Sequence, residues 1–223
     1  VERLRRVEVE GRARLATLNL APGVQVYGER LVRLEGLEWR VWDPYRSKLA
    51  AALEKGLREL PVREGLQVLY LGVSTGTTAS HVSDLIGERG LLFGVEVAPR
   101  VAREFLDRVA AHRANVIPMV ADARRPELYP SMLGKADLVY CDIAQPDQTE
   151  IAIANCRLHL KPGGDLLLAV KARSIDVTRR PREIFREEVE RLRAADFQVV
   201  QVIRLEPFDR DHVLIHARAP GKG

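Results

Sequence analysis

The chain has 223 residues, enough for one full α/β domain with a small appendage, and its 46% share of hydrophobic residues is that of an ordinary globular protein. No apolar run is long enough to span a bilayer and the first residues carry charge (Glu2, Arg3, Arg5, Arg6), so membrane insertion and export are not expected and a cytoplasmic location is. The formal charge is only +4, although the basic residues are overwhelmingly arginine, a composition that suits heat-adapted surfaces as well as phosphate binding.

In chain order, residues 1–42 show a short β-like pattern. Leu37, Trp39 and Val41 alternate with Glu38 and Arg40, and Pro22-Gly23 and Tyr27-Gly28 punctuate the run. This predicts a small antiparallel β domain over 1–42, followed by a larger domain over 43–223. Asp43-Pro44 then reads as a cap with Pro at the first helical position, predicting a helix to about residue 60 that Pro61 stops. Beyond it, strand patterns near 67–72, 91–96, 116–120, 137–142 and 165–170 alternate with helical patterns near 77–86, 99–112, 147–160 and 181–195. Such alternation implies right-handed crossovers and a parallel sheet covered on both faces. Two strands close the chain, 198–204 and 212–218, joined by Glu206-Pro207-Phe208-Asp209 with no helix between them, so the last enters the sheet reversed. The fold class is therefore α/β: a Rossmann-like, seven-stranded, mostly parallel sheet with one reversed strand, the architecture of S-adenosylmethionine (SAM) dependent methyltransferases, preceded by the small antiparallel β unit.

The first long strand breaks into Gly72-Val-Ser-Thr-Gly76-Thr77-Thr78, and the second ends in Glu96. Gly72 and Gly76 permit tight turning and close approach to a ligand, while a carboxylate about 20 residues on can accept bonds from ribose hydroxyls. The loop is neither G-x-G-x-x-G nor G-x-x-x-x-G-K-[ST], so a nucleoside without phosphates, SAM above all, fits better than a nucleotide. The alternative is a glycine turn that packs strand on helix. Cys141 and Cys156 lack C-x-x-C spacing and are read as reduced, buried residues, and no metal site is expected.

Ligands of open α/β sheets bind outside the carboxyl ends of the strands. Asp142 ends the fourth strand and Lys171 the fifth, His212 begins the reversed strand at the same edge, and Lys48 lies early in the helix leading back to the first strand. Four polar groups from four segments can thus converge. Each also has a quieter role: a surface lysine, a turn-capping aspartate, a lysine snorkelling from a buried strand, a surface histidine. His81, His112, His159 and His216 have no such convergence and are read as structural. Arg173, Arg179, Arg180, Arg182 and Arg186 follow Lys171 closely, either as a phosphate-binding patch or as a solvated loop and first helical turn.

Four stretches carry a family likeness: Trp42-Asp-Pro-Tyr-Arg-Ser-Lys-Leu-Ala-Ala-Ala52, Tyr70 to Asp84, Gly94 to Arg100, and Tyr140-Cys-Asp-Ile-Ala-Gln-Pro-Asp-Gln148. Together they closely resemble the fibrillarins, RNA 2′-O-methyltransferases of box C/D ribonucleoproteins, and the resemblance runs nearly end to end. The chain begins directly in the β region without a glycine- and arginine-rich tail, as the archaeal forms do. The likeness implies a catalytic tetrad at Lys48, Asp142, Lys171 and His212, and SAM contacts at Thr77, Thr78, Glu96, Val97, Asp122, Ala123, Asp142, Ile143, Ala144 and Gln145. Val97 departs mildly from the family, where an aromatic residue often lies beside the adenine, which bears on cofactor affinity. The resemblance further implies a guide RNA, rRNA and also tRNA as substrates, a Nop-family scaffold protein and a kink-turn-binding protein. Two readings of other classes are a SAM-dependent methyltransferase acting on protein or a small molecule, and a non-catalytic scaffold subunit.

Overall fold

Four short strands open the chain: β1 (Leu4–Val9), β2 (Arg12–Leu18), β3 (Leu31–Leu34) and β4 (Leu37–Val41). In the computed structural model, which describes residues 2–221, they pair antiparallel in the order β1-β2-β4-β3. Two two-residue turns, Glu10-Gly11 and Glu35-Gly36, set the register; all four residues have positive φ, the backbone that matches the right-handed twist of hairpin strands. Val7, Ala16 and Trp39 form the small core of this sheet.

The large sheet comprises β5 (Gln67–Leu71), β6 (Leu91–Glu96), β7 (Val116–Val120), β8 (Ala136–Cys141), β9 (Leu160–Lys171), β10 (Gln198–Arg204) and β11 (His212–Arg218), in the order β10-β11-β9-β8-β5-β6-β7. β11 is antiparallel to both neighbours and the other pairings are parallel, as the alternation of patterns predicts. Because side chains alternate along a strand, Val68, Tyr70, Leu138 and Tyr140 enter one core layer while Leu69, Leu71, Val139 and Cys141 enter the other. Helices α1 (Lys48–Glu54), α2 (Thr77–Ile86) and α3 (Pro99–Arg108) contribute to the first layer; α4 (Gln148–His159), the single turn α5 (Ala172–Ile175) and α6 (Pro181–Ala194) contribute to the second. Both cysteines are free and buried.

Three elements differ from expectation. α1 spans Lys48–Glu54, not 44–60: Asp43 spends its carboxylate on the Tyr45 N–H at 2.9 Å, and the true cap is Ser47, whose hydroxyl accepts from the Ala50 N–H. The helix ends at Lys55-Gly56, where Gly56 has φ +90°, well before Pro61. α3 stops at Arg108 and continues as a separate 3-10 turn, Ala110–His112. β9 starts at Leu160 and not at 165, because the strand runs through Pro162-Gly163-Gly164 with a register shift against β8, a bulge that reads in sequence as a turn.

A buried ionic cluster fastens the small sheet to α2. Asp84 of α2, fully buried, accepts from Thr17 Oγ1 at 2.8 Å, the Leu20 N–H at 3.0 Å, Arg40 Nη1 at 2.8 Å and Arg113 Nη1 at 2.5 Å. Arg40 also donates to Glu29 Oε1 at 2.7 Å and Ser80 Oγ at 2.8 Å. Burial alone pulls the Arg40 guanidinium down, but Asp84 and Glu29 more than offset it. Two arginines therefore face two carboxylates, and the adjacent His81, lowered well below its ordinary value by burial and by Arg40 and Arg113, stays neutral. The cluster holds in place the helix that begins at the Gly72–Thr78 loop.

Candidate active site

The winding of the large sheet reverses between β5 and β8, and the loops after these strands touch there. Gly72 (φ +77°) lies so close to the Asp142 backbone oxygen and the Ile143 side chain that a Cβ would collide with both. At Gly76 (φ +96°) a Cβ would strike Phe105 and Val109, so the packing reading accounts for this glycine without a ligand. A cleft of about 230 Å³ opens at this crossing, lined by Gly72, Glu96, Val97, Asp122, Ala123 and the run Asp142, Ile143, Ala144 and Gln145, together with Ser74 and Arg124, which the sequence did not single out. Gly76, Thr77 and Thr78 lie off this lining. Thr78 is buried, and its hydroxyl donates to Ser47 Oγ at 2.9 Å, joining the start of α2 to the cap of α1.

The cleft is acidic, and its glutamate is fixed. Glu96 has both oxygens fixed by backbone donors, Oε2 by the Ser74 N–H at 3.1 Å and Oε1 by the Ala98 N–H at 3.0 Å. Each oxygen keeps a lone pair, so the carboxylate is preset to accept from a diol. Val97 is 61% exposed, an apolar wall open to the cleft. Arg124 reaches from the loop after β7 to Gln145 Oε1 at 2.8 Å and Asp147 Oδ1 at 3.1 Å. Its charge is therefore matched by Asp147, as that of Asp142 is by Lys48, leaving Glu96 and Asp122 to set the sign of the cleft. A larger hollow of about 390 Å³ lies between the small sheet and residues 41–46. It sits away from the strand ends and its Glu29 is committed to Arg40, so the chemistry belongs to the smaller cleft.

At the Asp142 end, Lys48, Asp142, Lys171 and His212 come to one corner. Lys48 Nζ donates to Asp142 Oδ2 at 2.9 Å, with both side chains 23% exposed. Burial pulls the ammonium down, but Asp142, with help from Asp209, outweighs it and holds Lys48 above the ordinary lysine value. Lys171 stands directly opposite His212 in the β9–β11 register, and residues so paired share a face of the sheet.

A fifth group, Asp209, ties the corner together; the sequence did not single it out, because it sits in the turn between the last two strands. Its Oδ1 lies 2.8 Å from His212 Nδ1, which also faces the Arg210 carbonyl at 2.7 Å. Facing two oxygens, Nδ1 carries a proton, and Nε2 is the nitrogen left free of these contacts. Burial pushes Asp209 up, but the hydrogen bond and charge of His212 and the charges of Lys48 and Lys171 hold it below the ordinary carboxylate value. The available signal was an acid three residues before a candidate histidine.

The basic stretch after β9 is half neutralised: Arg173 pairs with Asp211, Arg179 with Glu187 and Arg180 with Glu183. Among the described residues, no acidic group lies within ion-pair reach of Arg182 or Arg186, no cluster suits a metal ion, and no helix is long and apolar enough to cross a membrane.

The family model Fibrillarin matches residues 4–220. The chain belongs to the fibrillarin family. A fibrillarin-like rRNA/tRNA 2′-O-methyltransferase of Sulfurisphaera tokodaii is 52% identical over 213 residues, covering 96% of this chain and 91% of that protein. Among solved structures, Aeropyrum pernix fibrillarin in complex with natively bound S-adenosyl-L-methionine superposes with a TM-score of 0.90 at 51% identity, over 96% of this chain and 94% of that one. The chain of a fibrillarin/Nop5p complex superposes with a TM-score of 0.86 at 37% identity, over 97% of each chain. The fibrillarin likeness thus covers both sheets.

Proposed function

We propose that this chain is an RNA 2′-O-ribose methyltransferase that takes its methyl group from SAM, acting on rRNA and tRNA as the catalytic subunit of a box C/D guide-RNA ribonucleoprotein. The observation that carries the reading is the Lys48–Asp142 pair at one end of a carboxylate-lined cleft, with Lys171 and His212 on adjoining strands. The cleft suits SAM, because a ligand with a ribose diol, a sulfonium and an ammonium is complementary to Glu96, Asp122 and Asp142, whereas phosphates are not. Glu96 would hold the ribose, Val97 and Ile143 the adenine faces, and Asp142 the methionine end. When bound, SAM supplies a methyl made electrophilic by the sulfonium.

The protein then has to orient the acceptor hydroxyl and manage one proton. Lys48 is held above its ordinary value and stays an ammonium, so it does not serve as base; it fixes Asp142 and adds positive potential where an oxyanion develops. Lys171 would either take the hydroxyl proton, if uncharged, or stabilise the developing alkoxide, if charged, and His212 would bond the acceptor ribose or its phosphate. Asp209 holds the imidazole by Nδ1 and sets which nitrogen is presented.

Every proposed site residue lies within 43–223, and we read 1–42 as a distinct small domain. Nothing in either unit resembles a base-reading RNA module, so target choice falls to a guide RNA paired with the substrate. A Nop-family protein is the scaffold in this reading, with a kink-turn-binding protein in the same complex. The test is transfer of labelled methyl from SAM to RNA, with and without guide RNA and partner proteins, followed by mapping of the modified ribose. Labelling at the guided 2′-oxygen is the expected result. Labelling of protein or small molecules alone would refute the RNA reading.

A further inference from the structure

Among the described residues, Tyr45 is the only exposed one of the twelve Phe, Tyr and Trp side chains, at 65%. It is not loose. Its N–H is held by Asp43 Oδ1 at 2.9 Å, and its ring meets Phe208 edge-on, with centroids 5.1 Å apart and an interplanar angle of 75°. Phe208 is half-buried against the same core layer as α1 and so serves as a brace. Both rings adjoin the reactive corner along the chain: Tyr45 precedes Lys48 by three residues, and Phe208 immediately precedes Asp209, the partner of His212. Tyr45 lines the larger hollow and is absent from the lining of the cofactor cleft.

Two exposed arginines lie close by in the chain. Arg46 is exposed and lies over the Tyr27 ring at 5.3 Å, and Arg210 is exposed and close to Phe208 in sequence. Among the described residues, neither is in an ion pair. A fixed aromatic face with unpaired arginines one residue from Tyr45 and two from Phe208 matches a nucleobase joined to a phosphate backbone, since every base offers a π-face and arginine neutralises phosphate.

We propose that Tyr45, braced by Phe208, is the platform on which a base of the acceptor RNA strand, that of the target nucleotide or its immediate neighbour, stacks while the ribose is presented to the Lys48–Asp142 and Lys171–His212 groups. The proposal rests on the RNA methyltransferase reading and adds the residue that positions the acceptor.

The experiment compares wild-type, Tyr45→Ala and Tyr45→Phe in the complex reconstituted with guide RNA and scaffold protein. Base stacking on an aromatic ring predicts that Tyr45→Ala lowers kcat/KM for RNA by about 5- to 150-fold, chiefly through KM. Tyr45→Phe, which keeps the π-face, stays within about twofold of wild-type, and calorimetric SAM affinity is the same in all three. A 2-aminopurine at the target or neighbouring position is quenched in the wild-type complex and not with Tyr45→Ala. Wild-type turnover by Tyr45→Ala overturns the proposal. So does loss of scaffold binding on a native gel, which would make the ring a protein contact, or a fall in SAM affinity, which would make it a cofactor contact. If wild-type itself transfers no methyl to guided RNA, the underlying reading falls and this one falls with it.

Discussion

Replacing Asp84 with Ala removes the acceptor on which the attachment of the small sheet depends. Arg40 and Arg113 are fully buried on their side chains; without Asp84, Arg40 keeps the Glu29 carboxylate and, among the described residues, Arg113 has no carboxylate within ion-pair reach. Removing one partner of a buried ion pair costs about 3–5 kcal/mol, because the remaining charge is stranded in low dielectric. The Leu20 N–H and the Thr17 hydroxyl lose their acceptor as well, which places the loss toward the upper end of that range. For a chain of this size each kcal/mol moves Tm by roughly 2–4 °C, so Asp84→Ala is expected to melt roughly 6–20 °C lower. Urea unfolding and calorimetry on both proteins measure the difference. A loss under about 1 kcal/mol would mean the arginines escape to water, and the claim that this cluster fixes the small sheet to α2 would be wrong.

Glu96→Ala removes the preset acceptor of the ribose hydroxyls, and hydrogen bonds to a charged group are worth about 1.5–3 kcal/mol, so SAM affinity should fall at least about tenfold by calorimetry. An unchanged Kd would move the cofactor elsewhere. Asp209→Asn leaves the His212 ring without its charged anchor, which predicts about a tenfold or larger loss in kcat, a displaced pH–rate profile and normal SAM affinity; an unaltered profile counts against a positioning role. Two pH effects have opposite signs. Lys48 is raised, so its contribution to stability is complete below lysine's ordinary 10.5 and is lost as pH climbs through the higher folded value. Asp209 is lowered, so its contribution is present above the ordinary 3.8 and is lost as pH falls through the lower folded value. Unfolding measured across pH should therefore lose part of its alkaline decline in a Lys48→Met variant and part of its acid decline in Asp209→Asn.

The parallel sheet is legible in the sequence because its strands are buried on both faces and separated by helical patterns, and the reversed strand because no helix separates 198–204 from 212–218. That topology alone brings Asp142, Lys171 and His212 to one edge. Helix α1 is shorter than its pattern suggests because Asp43-Pro44 imitates a cap, while the Ser47 that does cap the helix is held by Thr78 through a tertiary contact. β9 is longer than its pattern suggests because Pro162-Gly163-Gly164 has the composition of a turn, and a bulge inside a strand is fixed by its partner. The Asp84 cluster has no signal in sequence, and that of Asp209 is weak, for a related reason. Their meaning lies in contacts between distant segments, such as Arg40 with Asp84, or in a turn whose direction the local sequence leaves open.

Lys48, Asp142, Lys171 and His212 are held to act together on a hydroxyl presented at the cleft. Single-turnover transfer of labelled methyl to a guided RNA by Lys171→Ala, with SAM and RNA affinities measured on the same protein, tests this most directly. A rate about 10²–10⁴-fold lower, with both affinities retained, is the expected result. A near wild-type rate, or a loss explained wholly by weaker binding of SAM or RNA, would contradict it.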